Sequence, residues 1–134
     1  MSIKIRVLTP NRVICSTTAD QAILPGLSGE IGVLYGHAPL ISCLDTGLLS
    51  IKIDEKWTPI IIYDGVVEIK QNRVIVVAGE VEEFTTTLKL SEASKEVEEA
   101  TLKLEIAENG KPRLDALVEL KKARARLQAA KYLS

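Results

Sequence analysis

Up to about Phe84, apolar and polar positions alternate with a period of two. Ile3, Ile5 and Val7 alternate with Lys4 and Arg6; Leu49, Ile51 and Ile53 alternate with Ser50 and Lys52. Successive side chains of a strand point to opposite faces, so these segments read as half-buried strands. Other runs are short, branched and apolar: RVICS from Arg12, QAILP from Gln21, TPIIIY from Thr58, GVVEIK from Gly65 and RVIVVAG from Arg73. Turn residues separate them at Pro10-Asn11, Gly26, Asp54-Glu55-Lys56, Asp64-Gly65 and Gln71-Asn72. Many short strands at this spacing predict an antiparallel sandwich or barrel.

After about Leu88 the period changes to that of a helix. Ser91 is the candidate N-cap of a first helix through Glu108, with Glu92 in its first turn. Gly110 suits a left-handed C-cap and Pro112 the first turn of a second helix, which runs nearly to the end. A short connector between two helices predicts an αα-hairpin. Ala93, Ala100 and Ala107 recur every seven residues with Val97 and Leu104 between them; Ala116, Ala123 and Ala130 do so with Leu120 and Leu127. Small residues let backbones approach, so these two seams are expected to face each other. Leu102, Ile106, Leu117 and Val118 lie off the seam and are expected to dock elsewhere, with Leu102 and Leu117 against the sandwich. The expected fold is thus α+β: a β-sandwich over residues 1–87, then an antiparallel helical hairpin over 88–134.

Charge sharpens this picture. Residues 91–108 carry six acids and two bases, whereas residues 112–134 carry six bases and two acids. An acidic helix beside a basic one suits antiparallel pairing, although each exposed pair is worth only about 0–1 kcal/mol. Lys121, Lys122, Arg124 and Arg126 fall within six residues. They read either as a solvated face or as a basic docking strip for an acidic protein partner. The whole chain of 134 residues has a net charge of −1 and 4% aromatic residues, which argues against a nucleic-acid footprint. No apolar run approaches the roughly 18 residues of a membrane span, and the N-terminus does not read as a signal or transit peptide. Cys15 and Cys43 are isolated in apolar surroundings and read as two buried, reduced thiols, with a disulfide between them as the alternative that their separation leaves open.

The stretch PGLSGEIGVLYGHAPLI, Pro25 to Ile41, invites a nucleotide-loop reading and fails it. A phosphate loop needs G-x-x-x-x-G-K-[ST]; here Gly32 is followed by Val33, and Glu30 brings the wrong charge. Positive-φ turns and a bulge between strands are expected instead. His37 lacks a nearby nucleophile and orienting carboxylate, so a structural or interface histidine is expected. No metal set or acid–base dyad is discernible. Three rival readings remain: a free-standing sandwich and coiled-coil adaptor, a small hydrolase using His37 or Cys43, and a nucleic-acid binder using the basic helix.

SGEIGVLYGHAPLI from Ser28 resembles the signature of the epsilon subunit of F-type ATP synthases. VLTPNRV from Val7 and ELKKARARLQAAKYLS from Glu119 resemble its chloroplast and cyanobacterial branch. The resemblance runs through nearly the whole chain. It implies a flattened sandwich of about ten strands that binds the foot of the gamma shaft and touches the ring of c subunits. It implies a non-catalytic subunit, without a cofactor, that couples rotation to ATP synthesis and restrains ATP hydrolysis through its hairpin. The particle would lie on the stromal or cytoplasmic face of the thylakoid membrane, which this chain would meet only through the complex. By match to the family, Ser28, Gly29 and Glu30 would approach the c-ring, with His37 at the same foot interface. Lys121, Lys122, Arg124 and Arg126 would meet acidic segments of beta (and alpha) subunits when the hairpin extends. Some relatives bind a regulatory ATP through Ile/Leu-Asp-x-x-Arg-Ala. The matching stretch here is Leu88, Lys89, Leu90, Ser91, Glu92, Ala93, with lysine for the aspartate and glutamate for the arginine.

Overall fold

A computed structural model describes residues 1–83 and 90–133. Eight strands come first: β1 (Ile3–Leu8), β2 (Val13–Ala19), β3 (Gln21–Gly26), β4 (Gly29–Leu34), β5 (Leu40–Leu44), β6 (Gly47–Ile53), β7 (Lys56–Lys70) and β8 (Arg73–Glu83). Two helices follow, α1 (Leu90–Ile106) and α2 (Lys111–Leu133). The expected domain boundary at 87/88, with Leu88 and Lys89, lies outside the described residues.

Eight continuous strands replace the expected ten or so, because two of them serve both layers. Gly65–Lys70 of β7 pairs with β5 and with Arg73–Ala78 of β8, which in turn lies beside β1 and then β2. The Lys56–Ile62 part of β7 pairs instead with β6, then β3 and β4, while its Ile60–Tyr63 end also pairs with Glu80–Glu83 of β8. Counted by layer, β7 and β8 each appear twice. All pairs are antiparallel except β1 beside β8. The Asp64-Gly65 turn expected between two strands is therefore a kink inside one. Asp64 has φ 50°, and a Cβ on Gly65 would sit 2.5 Å from the Val77 carbonyl oxygen, so only glycine lets β7 and β8 bend there together.

The core lies between the layers. Ile3, Ile5, Val7, Leu24, Leu49, Ile51, Ile62, Val67, Val74 and Val76 are all within 1% of complete burial and belong to one cluster. Their odd or even spacing is the alternation of the sequence. The second layer departs from simple alternation: Leu48, Ser50 and Ile61, which point away from that core, are also buried. The helices explain this, since Leu48 and Ile61 pack with Ala125 and Ala129 of α2.

The seam between the helices forms as the heptads imply, with Ala100, Leu120 and Ala123 packed beside Val97 and Leu104. The dock on the sandwich does not use the expected residues. Leu102 is 60% exposed, Ile106 81%, Val118 43% and Leu117 37%. The sheet is met instead by alanines, because their lack of bulk brings the α2 backbone close. Ser91 is the second residue of α1 and so not its N-cap. Gly110 has φ +94°, as expected of a chain reversal, and its carbonyl accepts from Leu114 N–H at 3.1 Å to begin α2. The two cysteines are not bridged to each other, and neither is fully buried: Cys43 is exposed opposite Val66 on the outer face of the first layer, and Cys15 is half-buried against the edge of the core.

Candidate functional site

The basic strip of α2 lies on the sandwich rather than in solvent. Lys121 Nζ donates to both Asp45 carboxylate oxygens, at 3.1 and 3.2 Å. Asp45 sits where the chain leaves β5 for β6, and its N–H is tied to Pro25 O at 2.8 Å. Lys122 Nζ stands 4.2 Å from the Tyr63 ring centroid, within cation–π range. Arg126 grips Glu82 of β8 with two nitrogens, Nε to Oε1 at 3.1 Å and Nη2 to Oε2 at 3.0 Å. Its Nη1 lies 3.6 Å from Glu96 of α1, an oxygen buried without a hydrogen bond among the described residues. One guanidinium thus faces carboxylates from the sheet and from the outer helix. Arg124 alone of the four is exposed, with no ion pair among the described residues.

The contacts shift these groups in a consistent direction. Burial, then the hydrogen bond to Glu82, pushes the Tyr63 phenol up to about 12. Burial opposes ionisation of Glu82, but hydrogen bonds from Arg126 and Tyr63 outweigh it and hold the carboxyl below its ordinary range. The hydrogen bond to Glu82 raises Arg126 in turn, against its burial. Tyr63 O–H donates to Glu82, which closes the set.

Sequence reasoning found the bases and missed their partners. Asp45 lies 76 residues from Lys121, and Glu82 lies 44 from Arg126. The Ala125 and Ala129 spacing of four was a signal, overlooked beside the longer heptad seam.

The glycine stretch forms the β3–β4 hairpin and the loop after it. Its register is constant from Gln21↔Leu34 to Gly26↔Gly29, so the expected bulge is absent there. The positive-φ turns are present at Gly29 (+131°) and Gly36 (+88°). Ser28, Gly29 and Glu30 are exposed at the hairpin tip. His37 follows the far end of β4, where Gly36 N–H donates to Asn72 Oδ1 at 2.7 Å, and it lines one groove of ≈ 510 Å³ together with Gly32, Leu34 and Glu30 of that strand. His37 Nδ1 lies 2.6 Å from Ala38 O, and no carboxylate bonds the ring among the described residues.

Neither described helix covers the outer face of the first layer. Cross-strand partners Leu8, Val77, Val66 and Cys43 form a row across it. Val77 and Val66 are each 46% exposed. Between the helices, a cavity of ≈ 350 Å³ is lined by Glu96, Glu99, Lys103, Glu119, Lys122 and Arg126. Its three carboxylates offset its three bases, with Lys103 near Glu119 and Arg126 near Glu96, so it offers a triphosphate no net positive charge. No described helix is long and apolar enough to cross a membrane.

Comparison with known proteins fits this geometry. Residues 2–84 match the family described as ATP synthase, Delta/Epsilon chain, beta-sandwich domain. The chain is 62% identical to the chloroplastic ATP synthase epsilon chain of Thalassiosira pseudonana over 134 residues, all of both chains. It is 38% identical to that of Pyropia yezoensis over 97% of this chain and 96% of the relative. Its fold is similar to a chain in the Euglena gracilis mitochondrial ATP synthase OSCP/F1/c-ring structure, with TM-score 0.79, 20% identity, and 97% and 81% of the two chains covered. The chain therefore belongs to the ATP synthase epsilon-chain family, as a non-catalytic subunit of a plastid ATP synthase.

Proposed function

We propose that this chain is a rotor subunit whose hairpin is a two-position brake on ATP hydrolysis. The sandwich is the fixed part. Its uncovered apolar row, Leu8–Val77–Val66–Cys43, is the seat for the gamma shaft, and the Ser28–Gly29–Glu30 tip meets the c-ring. The complex lies on the stromal face of the thylakoid membrane. The hairpin is the movable part. Folded down, it is held by two alanines and by Lys121, Lys122 and Arg126. Extended, the same bases and Arg124 meet acidic segments of beta and alpha subunits. The exposed apolar flank at Leu102, Ile106 and Leu117 is then covered.

The observation that carries this reading is that three of the four strip bases are already satisfied within the chain. Asp45 and Glu82 compete with any partner's carboxylates for one set of cations. A ligand or partner shifts such a balance only by favouring one arrangement. The two arrangements respond oppositely to mutation. Asp45→Asn with Glu82→Gln weakens only the folded position, so hydrolysis by the assembled complex is expected to fall. Arg124→Glu weakens only the extended position, so hydrolysis is expected to rise. Equal hydrolysis in wild-type and both variant complexes, with assembly intact, would remove the brake.

A further inference from the structure

The same uncovered face has a second, unlike row. Lys70 lies opposite Arg73, Arg73 opposite Lys4, and Lys4 opposite Thr18. Arg6 stands next along β1, opposite Ser16. Lys4, Arg6, Ser16, Thr18 and Arg73 share the lining of one cleft of ≈ 320 Å³. All four bases are exposed, and none forms an ion pair within 4 Å among the described residues. Like charges directly opposite across a sheet are destabilising. Here two such pairs are adjacent, so three cations occupy consecutive strands.

We infer that this row is an electrostatic key, and that it recognises an acidic edge on the protein seated against the neighbouring apolar row. The inference rests on the seat assigned above and adds the chemistry of its partner. The basic row and the apolar row are four residues apart on the same strands, Lys4 to Leu8 and Arg73 to Val77. One partner surface about 13 Å wide therefore covers both, at about 3.3 Å per residue. An apolar centre with a charged margin is the usual plan of a protein interface. Glu68 stands between the rows, opposite Ile75 and Ile41. It would repel a layer of lipid phosphates, whereas one protein surface can place a donor against it and carboxylates beside it. Ser16 and Thr18 supply hydroxyl donors at the margin of the row. Complementary charge of this kind acts mainly on association rate and orientation.

Arg73→Glu tests the key, with purified gamma subunit as the probe. The substitution places a carboxylate between Lys70 and Lys4, so the melting temperature of the isolated chain is expected to rise. Association with gamma is expected to slow about tenfold, with a shallower dependence on salt. Arg73→Lys should restore wild-type association. Val66→Asp should abolish binding, as a check on the seat itself. If Val66→Asp abolishes binding and Arg73→Glu leaves rate and salt dependence unchanged, the key is refuted and the seat stands. If neither substitution affects gamma, both fall. Phosphatidylglycerol vesicles and inorganic phosphate are the control probes. Charge-dependent capture of either by the wild type, lost in Arg73→Glu while gamma binding is unaffected, would overturn the assignment to a protein.

Discussion

The sandwich core and the hairpin dock are built from different materials. The core is a cluster of mostly branched side chains and leucines, nearly all within 2% of complete burial. The dock is Leu48 and Ile61 under Ala125 and Ala129, with Tyr63 at the side. Fully burying a valine, leucine or isoleucine contributes about 1.5–3 kcal/mol, and an alanine methyl about 0.8 kcal/mol. The core is therefore held by apolar area, and the dock by a small area plus three charged contacts. A strand cannot leave the first without unfolding. On the proposed brake, the helix pair leaves the second and keeps its own seam, Ala100, Leu120 and Ala123.

The largest expected effect is in the core. Ile62→Ala should lower unfolding stability by about 2–5 kcal/mol, seen as a lower denaturation midpoint for the whole chain. Next is the dock. Ala129 is fully buried, so Ala129→Glu places an unpaired charge against the sheet. The hairpin should undock while the strands keep their exchange protection. An equal loss of protection in strands and helices would mean that the two regions are one cooperative unit. Arg126→Ala removes the pair to Glu82, whose side chains are 31% and 38% exposed. With that exposure the loss is about 1 kcal/mol of docking, measurable as a shift in the docked fraction.

The smallest effect is that of pH near neutrality. Tyr63 is raised from 10 to about 12. Burial and Glu82 cause that rise, so the stability it contributes is intact below about pH 10 and is lost as pH climbs through about 12. Glu82 is lowered from 4.5. Its share is intact above that value and is lost as pH falls through the depressed one. Docking should therefore be flat from about pH 5 to about pH 10. A midpoint near pH 7 in a docking titration would assign control to some other group.

The two regions also differ in how far the sequence disclosed them. Alternation at Ile3–Ile5–Val7 and Leu49–Ile51 marks the core because a strand's period is local. The heptads of alanine with leucine marked the helix seam for the same reason. The kink at Asp64 was read as a break because turn residues look alike whether a strand ends or bends. The dock was misassigned because large residues such as Leu102 carry the stronger apolar signal, while the sheet needed small ones. Asp45 and Glu82 were invisible as partners because only the finished topology brings them beneath α2. The Ser28–Glu30 tip and His37 were joined by match to the family; in the fold they stand at the two ends of β4, and Glu30 and His37 line one groove along it.

Native-state hydrogen exchange of the isolated chain, read residue by residue, measures the difference between the regions directly. The described amides of α1 and α2 should open together, at least about a hundredfold more often than those of Ile5, Val67 and Val76, through a sub-global step that leaves the sandwich intact. Protection of both helices equal to that of those strands would show a permanently fixed hairpin and contradict the brake.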